Sequence, residues 1–393
     1  MTATLGLTPL TLVFFQQVSL VGFLANLVAI PLVTLVITPL ALAGIAFAPL
    51  WSLAATIVQG LDALLAFLVA VPGGGVWTIA VAPWWAQVAG LLAAVLVVLP
   101  LPWRAKLVAV PLALGLLVPP ASLPSEGHFD VVAADVGQGT AVLVRTRAHA
   151  LLFDSGPQYS RESDAGQRVL VPLLRSRGET KLDLLILSHR DSDHVGGART
   201  LLGAIEVDSV SSSLEDGHAL LGAVRDPQRC VAGQRWRWDG VEFAVLAPPA
   251  DDYARALRPN AMSCVLRVAG GGRSVLLTGD IEREQEAALV AAQGDALRTD
   301  VLIAPHHGSK TSSSAPFLDA VRPRIAVFQA GYRNRFGHPA EDVLDRYRER
   351  GIAIVASPAC GAWQWPADGA AAGTCERDVG RRYWHHAIAP PPH

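Results

Sequence analysis

The sequence predicts N-terminal transmembrane α-helices followed by an α/β sandwich, two mixed sheets packed inside helices. Three observations predict it. Residues 1–122 hold only three charged side chains, Asp62, Arg104 and Lys106, and every other charged residue follows them. Beyond that point short apolar runs with strand character recur between turn signals, first close together and then alternating with helical stretches. Acids and histidines gather where those apolar runs stop. Periodicity by itself carries the second part only to an α/β or α+β sandwich.

The apolar part comes first. A membrane span needs roughly 20 mostly apolar residues, and five segments offer them: about 10–30, 31–50, 51–71, 84–100 and 104–120. The last is short and contains Pro111. A soluble helical bundle would need a polar face on each helix, and these segments have almost none. No basic region precedes the first apolar run, which speaks against a cleaved signal peptide. Gln16, Gln17 and Asn26 lie inside the apolar segments, so they are expected to face other helices or a channel. The Pro/Ser-rich stretch Val118–Gly127 reads as a linker, which sets two domains, 1–122 and 123–393. Strand runs follow at 129–136, 140–146, 150–154, 182–187, 241–246, 263–268, 274–277, 301–304, 325–329 and 352–356. Helical stretches fall at 281–293, 315–320 and 340–350. The four cysteines form no CxxC pair, so a structural zinc ribbon is not indicated. Cys360 and Cys375 either pair, if this domain lies outside the cytoplasm, or remain buried thiols.

The chemistry is concentrated in Ser188–Gly197, SHRDSDHVGG, where His189, Asp191, Asp193 and His194 fall within one turn after an apolar strand. Asp154 closes another strand, Asp280 a third, and His306 and His307 a fourth. One such residue alone reads equally well as a helix cap or a packed imidazole. Together, far apart in sequence and each at a strand end, they make a metal site built on a sheet edge.

These motifs carry a resemblance. DVGQGT at 135–140, LLFDSGP at 151–157, SHRDSDHVGG, NAMSCVL at 260–266, LLTGD at 276–280, APHHGSKTS at 304–312 and GYRNRFGHP at 331–339 resemble the soluble domain of the ComEC family, DNA-uptake channel proteins of bacterial competence. FFQQVSLVGFLANLVAIPLV at 14–33 is similar to the later helices of that family's competence domain. The resemblance implies a metallo-β-lactamase fold, an αββα sandwich. It also implies a chain that corresponds to the C-terminal portion of such a protein, without its OB-like domain and earlier helices.

Carried over residue by residue, the resemblance implies two adjacent metal positions. One uses His189, Asp191 and Asp280; the other uses Asp193, His194, Asp280 and His307. Asp280 bridges, Asp154 orients ligands, and Asn260 or Ser263 stands near the metal. The chain departs from the superfamily's HxHxDH pattern at Asp191, and the imidazole often supplied between that turn and the bridging Asp is not evident, since His218 lies in a polar loop. Both changes trade nitrogen for oxygen, which favours Mn²⁺ over Zn²⁺, with Mg²⁺ also suited. The reaction implied is phosphodiester hydrolysis. Asp193, His306, His338 and Lys310 are the catalytic candidates: His338 to protonate the leaving oxygen, His306 and Lys310, with Ser309, to contact phosphate. Thr140, where family members often carry an acid, is assigned no charge role. Arg190, Arg199, Arg322, Arg324, Arg333 and Arg335 are candidates for a basic rim. The implied partners are DNA, as a single strand of an incoming duplex, the lipid bilayer, other competence channel components and the missing N-terminal portion. The implied location is the inner (cytoplasmic) membrane, multi-pass. Arg104 and Lys106 mark a cytoplasmic loop, so a single further crossing puts the soluble domain on the outer face.

Overall fold

The computed structural model describes residues 2–71, 76–119, 123–224, 226–368 and 371–381. Residues 120–122, within the expected linker, lie outside the described residues. The chain divides into two compact units, Met1–Ala121 with Arg175–Gly178, and Ser122–Leu174 with Glu179–His393.

The first unit is helical. Helix Thr2–Phe15 is followed by a break at Gln16, whose φ is 53°. The next helix is started by Ser19, whose side chain accepts from Gly22 N at 2.8 Å. It runs from Leu20 through a π-type turn at Val33–Ile37 to Ala43. This corrects the expected spans 10–30 and 31–50. The composition there is apolar throughout, and the polar break at Gln16 and cap at Ser19 set the boundary. Two helices reach crossing length, Val21–Ala43 and Pro49–Ala70, with mean hydropathy 2.2 and 2.0. Trp84–Val98 is apolar but shorter. The expected span 104–120 is also corrected: it forms helices of four and nine residues, Trp103–Lys106 and Ala109–Leu117. At about 1.5 Å per residue the longer one covers roughly 14 Å, under half of a hydrocarbon core of about 30 Å.

The second unit is a four-layer αββα sandwich. One sheet has the strand order 227–229, 206–212, 181–187, 150–153, 142–145, 130–133, 363–365, 374–375. The other has the order 235–238, 241–247, 265–270, 273–277, 301–303, 325–328, 353–356. Side chains alternate across each strand. Leu151, Phe153 and Ile186 of the first sheet thus meet Phe243, Leu266, Val275 and Val327 of the second in an inner core. Their neighbours Leu152 and Leu185 point outward, onto Leu170, Leu174 and Leu201. Leu276, Leu302 and Ala326 do the same against Leu289, Phe317 and Tyr347. Central strands buried on both faces read as continuous apolar runs, which is why strands such as 150–153, 301–303 and 325–328 were legible. Cys230 pairs with Cys264 and Cys360 with Cys375, both as disulfides.

Candidate metal centre

Parallel pairing brings the chemistry together. Strands 150–153 and 181–187 run parallel in one sheet, and 273–277 and 301–303 run parallel in the other. Their C-terminal ends therefore deliver Asp154, the 188–197 turn, Asp280 and His306–His307 to one edge of the sandwich. The turn needs its glycine neighbours. Gly139 has φ 144°, and a Cβ there would overlap the carbonyl oxygen of Asp193; Thr140 N donates to that same oxygen at 3.1 Å. The DVGQGT loop thus forms the floor under the turn.

Asp193, His194, Asp280 and His307 present ligand atoms that all lie within 4.8 Å of one another. His194 Nε2 is 3.1 Å from Asp280 Oδ1, and His307 Nε2 is 3.5 Å from the same oxygen and 3.3 Å from Asp193 Oδ2. The other oxygen of Asp280 faces a second group, with His306 Nε2 at 3.6 Å and His189 Nε2 at 4.0 Å. Asp191 Oδ2 stands 3.6 Å from His189 Nε2. Asp280 therefore offers one oxygen to each of two donor groups.

The far sides of the rings are fixed. His194 Nδ1 donates to Asp154 Oδ2 at 2.7 Å, and Asp154 also accepts from Ser188 N at 2.6 Å and Ser188 Oγ at 2.7 Å. His307 Nδ1 donates to the Gln329 carbonyl at 2.8 Å. Ser263 Oγ accepts from Asp280 N at 3.1 Å and lies 3.4 Å from His189 Nδ1. Carbonyl and carboxylate partners of this kind hold the opposite nitrogen of each ring unprotonated and aimed inward. His306 and His307 have φ of 50° and 54°, left-handed conformations that non-glycine residues keep mainly at functional sites.

The donor set fits a divalent cation. His189 Nε2, His194 Nε2, His307 Nε2 and Asp280 Oδ1 are buried, and none has a hydrogen-bond partner. His194 Nε2 and Asp280 Oδ1 are close but out of hydrogen-bond geometry. Buried polar atoms are almost always paired, so four left unpaired and converging are explained by an ion that accepts their lone pairs. Electrostatics agree. With no ion between them, burial raises the Asp193 carboxyl, but His307 Nε2 at 3.3 Å and the protonated His194 and His307 rings outweigh it and bring it down to about 2. Burial raises Asp280 too, and the His194 and His307 rings hold it well below the usual carboxylate range.

His338 lies beside this group, with ring centroids 5.8 Å from His306 and 6.5 Å from His307. Burial and then the His306 and His307 rings take its imidazole down to about 4. His306 Nδ1 is 3.2 Å from Thr311 Oγ1 and 3.4 Å from Glu282 Oε1. Other expected residues are not gathered. Lys310 is exposed, with Nζ 4.0 Å from Asp342. Ser309 is buried against Thr311. Ser263, rather than Asn260, is tied to the centre. His218 accepts from Leu220 N in its own loop. Of the expected basic rim, Arg190 is paired with Glu215 and Arg324 with Asp300. Sequence reasoning missed Ser188 and Gln329, and neither stands in a pattern that announces its role.

Residues 134–332 match the metallo-β-lactamase superfamily and residues 1–106 match the competence protein family. Competence protein ComA of Neisseria gonorrhoeae is 38% identical over 89% of this chain and 48% of its own length. ComE operon protein 3 of Bacillus subtilis is 28% identical over 92% of this chain and 50% of its own. The chain thus spans about half the length of the curated relatives it matches. Among solved structures, the metallo-β-lactamase fold protein YhfI of Bacillus subtilis is 13% identical, covering 60% of this chain and 100% of its own at a TM-score of 0.40.

Proposed function

The chain belongs to the metallo-β-lactamase superfamily, its fold joined to a competence-protein domain as in the ComEC family, and on that premise we propose that it is a membrane-tethered, metal-dependent nuclease of DNA uptake. Its substrate in this reading is the strand of incoming DNA that is not transported. The observation that carries the reading is the set of unpaired buried donors around Asp280. Fold alone does not fix chemistry; the donor set does more.

Asp193, His194, Asp280 and His307 would hold one ion, and His189, Asp191 and Asp280 the other. Carboxylates make up half of these ligands, which favours Mn²⁺ ahead of Zn²⁺ or Mg²⁺. Divalent ions there supply Lewis acidity toward phosphate oxygens and a more acidic water. The protein's own residues do the rest. Asp154 and Gln329 keep the ligand rings in one tautomer and one orientation. His306, on the Oδ2 side of Asp280, faces the phosphate. His338 takes up a proton when the phosphate's charge arrives beside it and passes it to the leaving oxygen. Lys310 is assigned phosphate only if its exposed side chain swings from Asp342.

The test uses full-length protein in detergent with labelled single- and double-stranded DNA and Mn²⁺, beside Asp193→Ala. Cleavage that the substitution abolishes supports the reading. No cleavage with any divalent ion would leave a non-catalytic DNA-binding role, and cleavage of small phosphoesters alone would move the substrate class. Metal titration of metal-free protein tests the ion separately: tight stoichiometric zinc with no response to manganese overturns the manganese assignment.

We place the soluble unit on the outer face of a multi-pass inner membrane protein. Both cysteine pairs are disulfides, which persist in oxidising compartments. The nine-residue length of Ala109–Leu117 argues the other way. Labelling intact cells and inverted vesicles with an impermeant thiol reagent after mild reduction decides between the faces.

A further inference from the structure

Among the described residues of the soluble unit, the exposed aromatic side chains are Tyr159, Tyr332 and Phe336, with exposures of 42%, 48% and 54%. Isolated exposed rings are ordinary; these three are not scattered. Tyr159 lies on the hairpin 158–164, whose backbone packs against Gly196 of the metal-binding turn. Its hydroxyl donates to the Val136 carbonyl at 2.9 Å, on the loop that forms the floor of the centre. Two residues on, Gln138 Oε1 accepts from Gly331 N at 3.1 Å, and Tyr332 follows directly. Phe336 closes the arc, with His338 stacked on it at 5.7 Å and 25°. The segments that carry the three rings are therefore linked by contacts that run from the metal-binding turn across the floor loop to His338.

Each ring also carries an arginine. Arg168 stands 5.6 Å over Tyr159, Arg333 5.2 Å over Tyr332 and Arg335 4.8 Å over Phe336. None of these arginines forms an ion pair among the described residues, whereas Arg190 and Arg324 do. Flat rings interleaved with uncommitted guanidinium groups are what unstacked nucleobases and their phosphates require. Every base has a π-face for a ring or guanidinium plane, and the charge follows the backbone. In a duplex those faces are already stacked on neighbouring bases.

We propose that Tyr159, Tyr332 and Phe336 with Arg168, Arg333 and Arg335 form a stacking rim that grips an unpaired nucleic-acid strand beside the metal centre, without sequence preference. The inference rests on reading the centre as one that cuts phosphodiesters. The rim selects single strands over duplex and sets how the strand is held, while the metal ligands and His338 act on the bond.

The test is equilibrium binding of a short labelled oligothymidylate to the full chain in detergent, with EDTA present so that nothing is cut. Phe336→Leu and Tyr332→Leu each keep an apolar side chain but lose the flat face, and each weakens binding roughly ten- to a hundredfold. Phe336→Trp restores a flat face and holds affinity within about threefold. A blunt duplex binds more weakly and is indifferent to all three. Leucine variants that bind like the parent, or that lose single strand and duplex equally, overturn the rim. Cleavage with Mn²⁺ is read in parallel. A parent that cuts DNA while the leucine variants bind normally overturns the rim and keeps the nuclease. A parent that cuts nothing while the leucine variants lose the strand overturns the nuclease and keeps the rim as a binding surface.

Discussion

Asp154→Asn changes one atom behind the metal centre and cannot be accommodated there. Both carboxylate oxygens of Asp154 act only as acceptors: Oδ1 takes Ser188 N at 2.6 Å, and Oδ2 takes Ser188 Oγ and His194 Nδ1, both at 2.7 Å. An amide offers one accepting oxygen and one donating nitrogen. With the nitrogen at Oδ1, two N–H groups face each other and a buried backbone donor loses its partner, at about 1–3 kcal/mol. With the nitrogen at Oδ2, His194 must turn a lone pair toward it and carry its proton on Nε2, where a metal needs an electron pair. The bond lost from the binding tautomer is charge-assisted, worth about 1.5–3 kcal/mol. That range matches the ten- to hundredfold loss of metal affinity typical when such a partner is removed, about 1.4–2.8 kcal/mol. The assay is competition for Mn²⁺ and Zn²⁺ against a chromogenic chelator on full-length protein, with a melting curve alongside. An Asn variant that binds both ions within about twofold of the parent, with an unchanged melting temperature, would refute the positioning argument.

Three further outcomes are expected. Gly139→Ala requires a Cβ both at φ 144° and against the Asp193 carbonyl, so the turn is displaced and metal affinity falls at least about tenfold, read by the same competition. His338→Ala lowers turnover by roughly 10²–10⁴ and leaves the metal titration unchanged; a parallel loss of metal would reassign it as a ligand. Asp239, at φ 48° before Gly240 in the 235–247 hairpin, accepts from Thr146 Oγ1 and Ala148 N at 2.7 Å and from His149 Nδ1 at 3.0 Å, tying one sheet's turn to the other's. Burial raises its carboxyl, but the bonds from His149 and Thr146 outweigh that and bring it to about 2 from 3.8. A depressed acid contributes stability above its unfolded value and loses it as pH falls through the folded one, here from 3.8 toward about 2. Urea unfolding should therefore show Asp239→Ala costing about 1–3 kcal/mol at neutral pH, with the gap to the parent closing across that acid window.

What could be read from the sequence depended on how each element is buried. Strands such as 150–153, 301–303 and 325–328 lie between two apolar layers, so their residues leave unbroken runs. Strand 206–212, EVDSVSS, escaped notice because its serines pack near the sheet's end instead of in an apolar layer. Strand 235–238, RWRW, did alternate and was followed by Asp239-Gly240, a strong hairpin signal, but its two arginines leave no apolar run to mark it. In the first unit the apolar content was plain and the boundaries were not, since only Gln16 and Ser19 punctuate it. At the centre, the acids and histidines at strand ends were legible because a metal site needs particular side chains. Ser188 and Gln329 were not, because they act through hydrogen bonds that only the folded backbone creates. The arginines show the same division. Spacing could nominate six, and the ion pairs of Arg190 and Arg324 depend on Glu215 and Asp300, remote in sequence.

The backbone at His306-His307-Gly308 has a consequence of its own. Three successive residues hold φ of 50°, 54° and 82°, and the two histidines each carry roughly 1–2 kcal/mol of left-handed strain. This strain presents neighbouring imidazoles to the two oxygens of a single carboxylate. Without an ion, the His307 Nδ1 bond to the Gln329 carbonyl, the His306 N bond to the Gly279 carbonyl and the Ala340 N bond to the Gly308 carbonyl remain to oppose relaxation of the segment. The loop is thus a built-in gauge of occupancy. Its amides should exchange hydrogen slowly when the centre is loaded and faster when it is stripped, giving a readout of metal status that needs no substrate and no turnover.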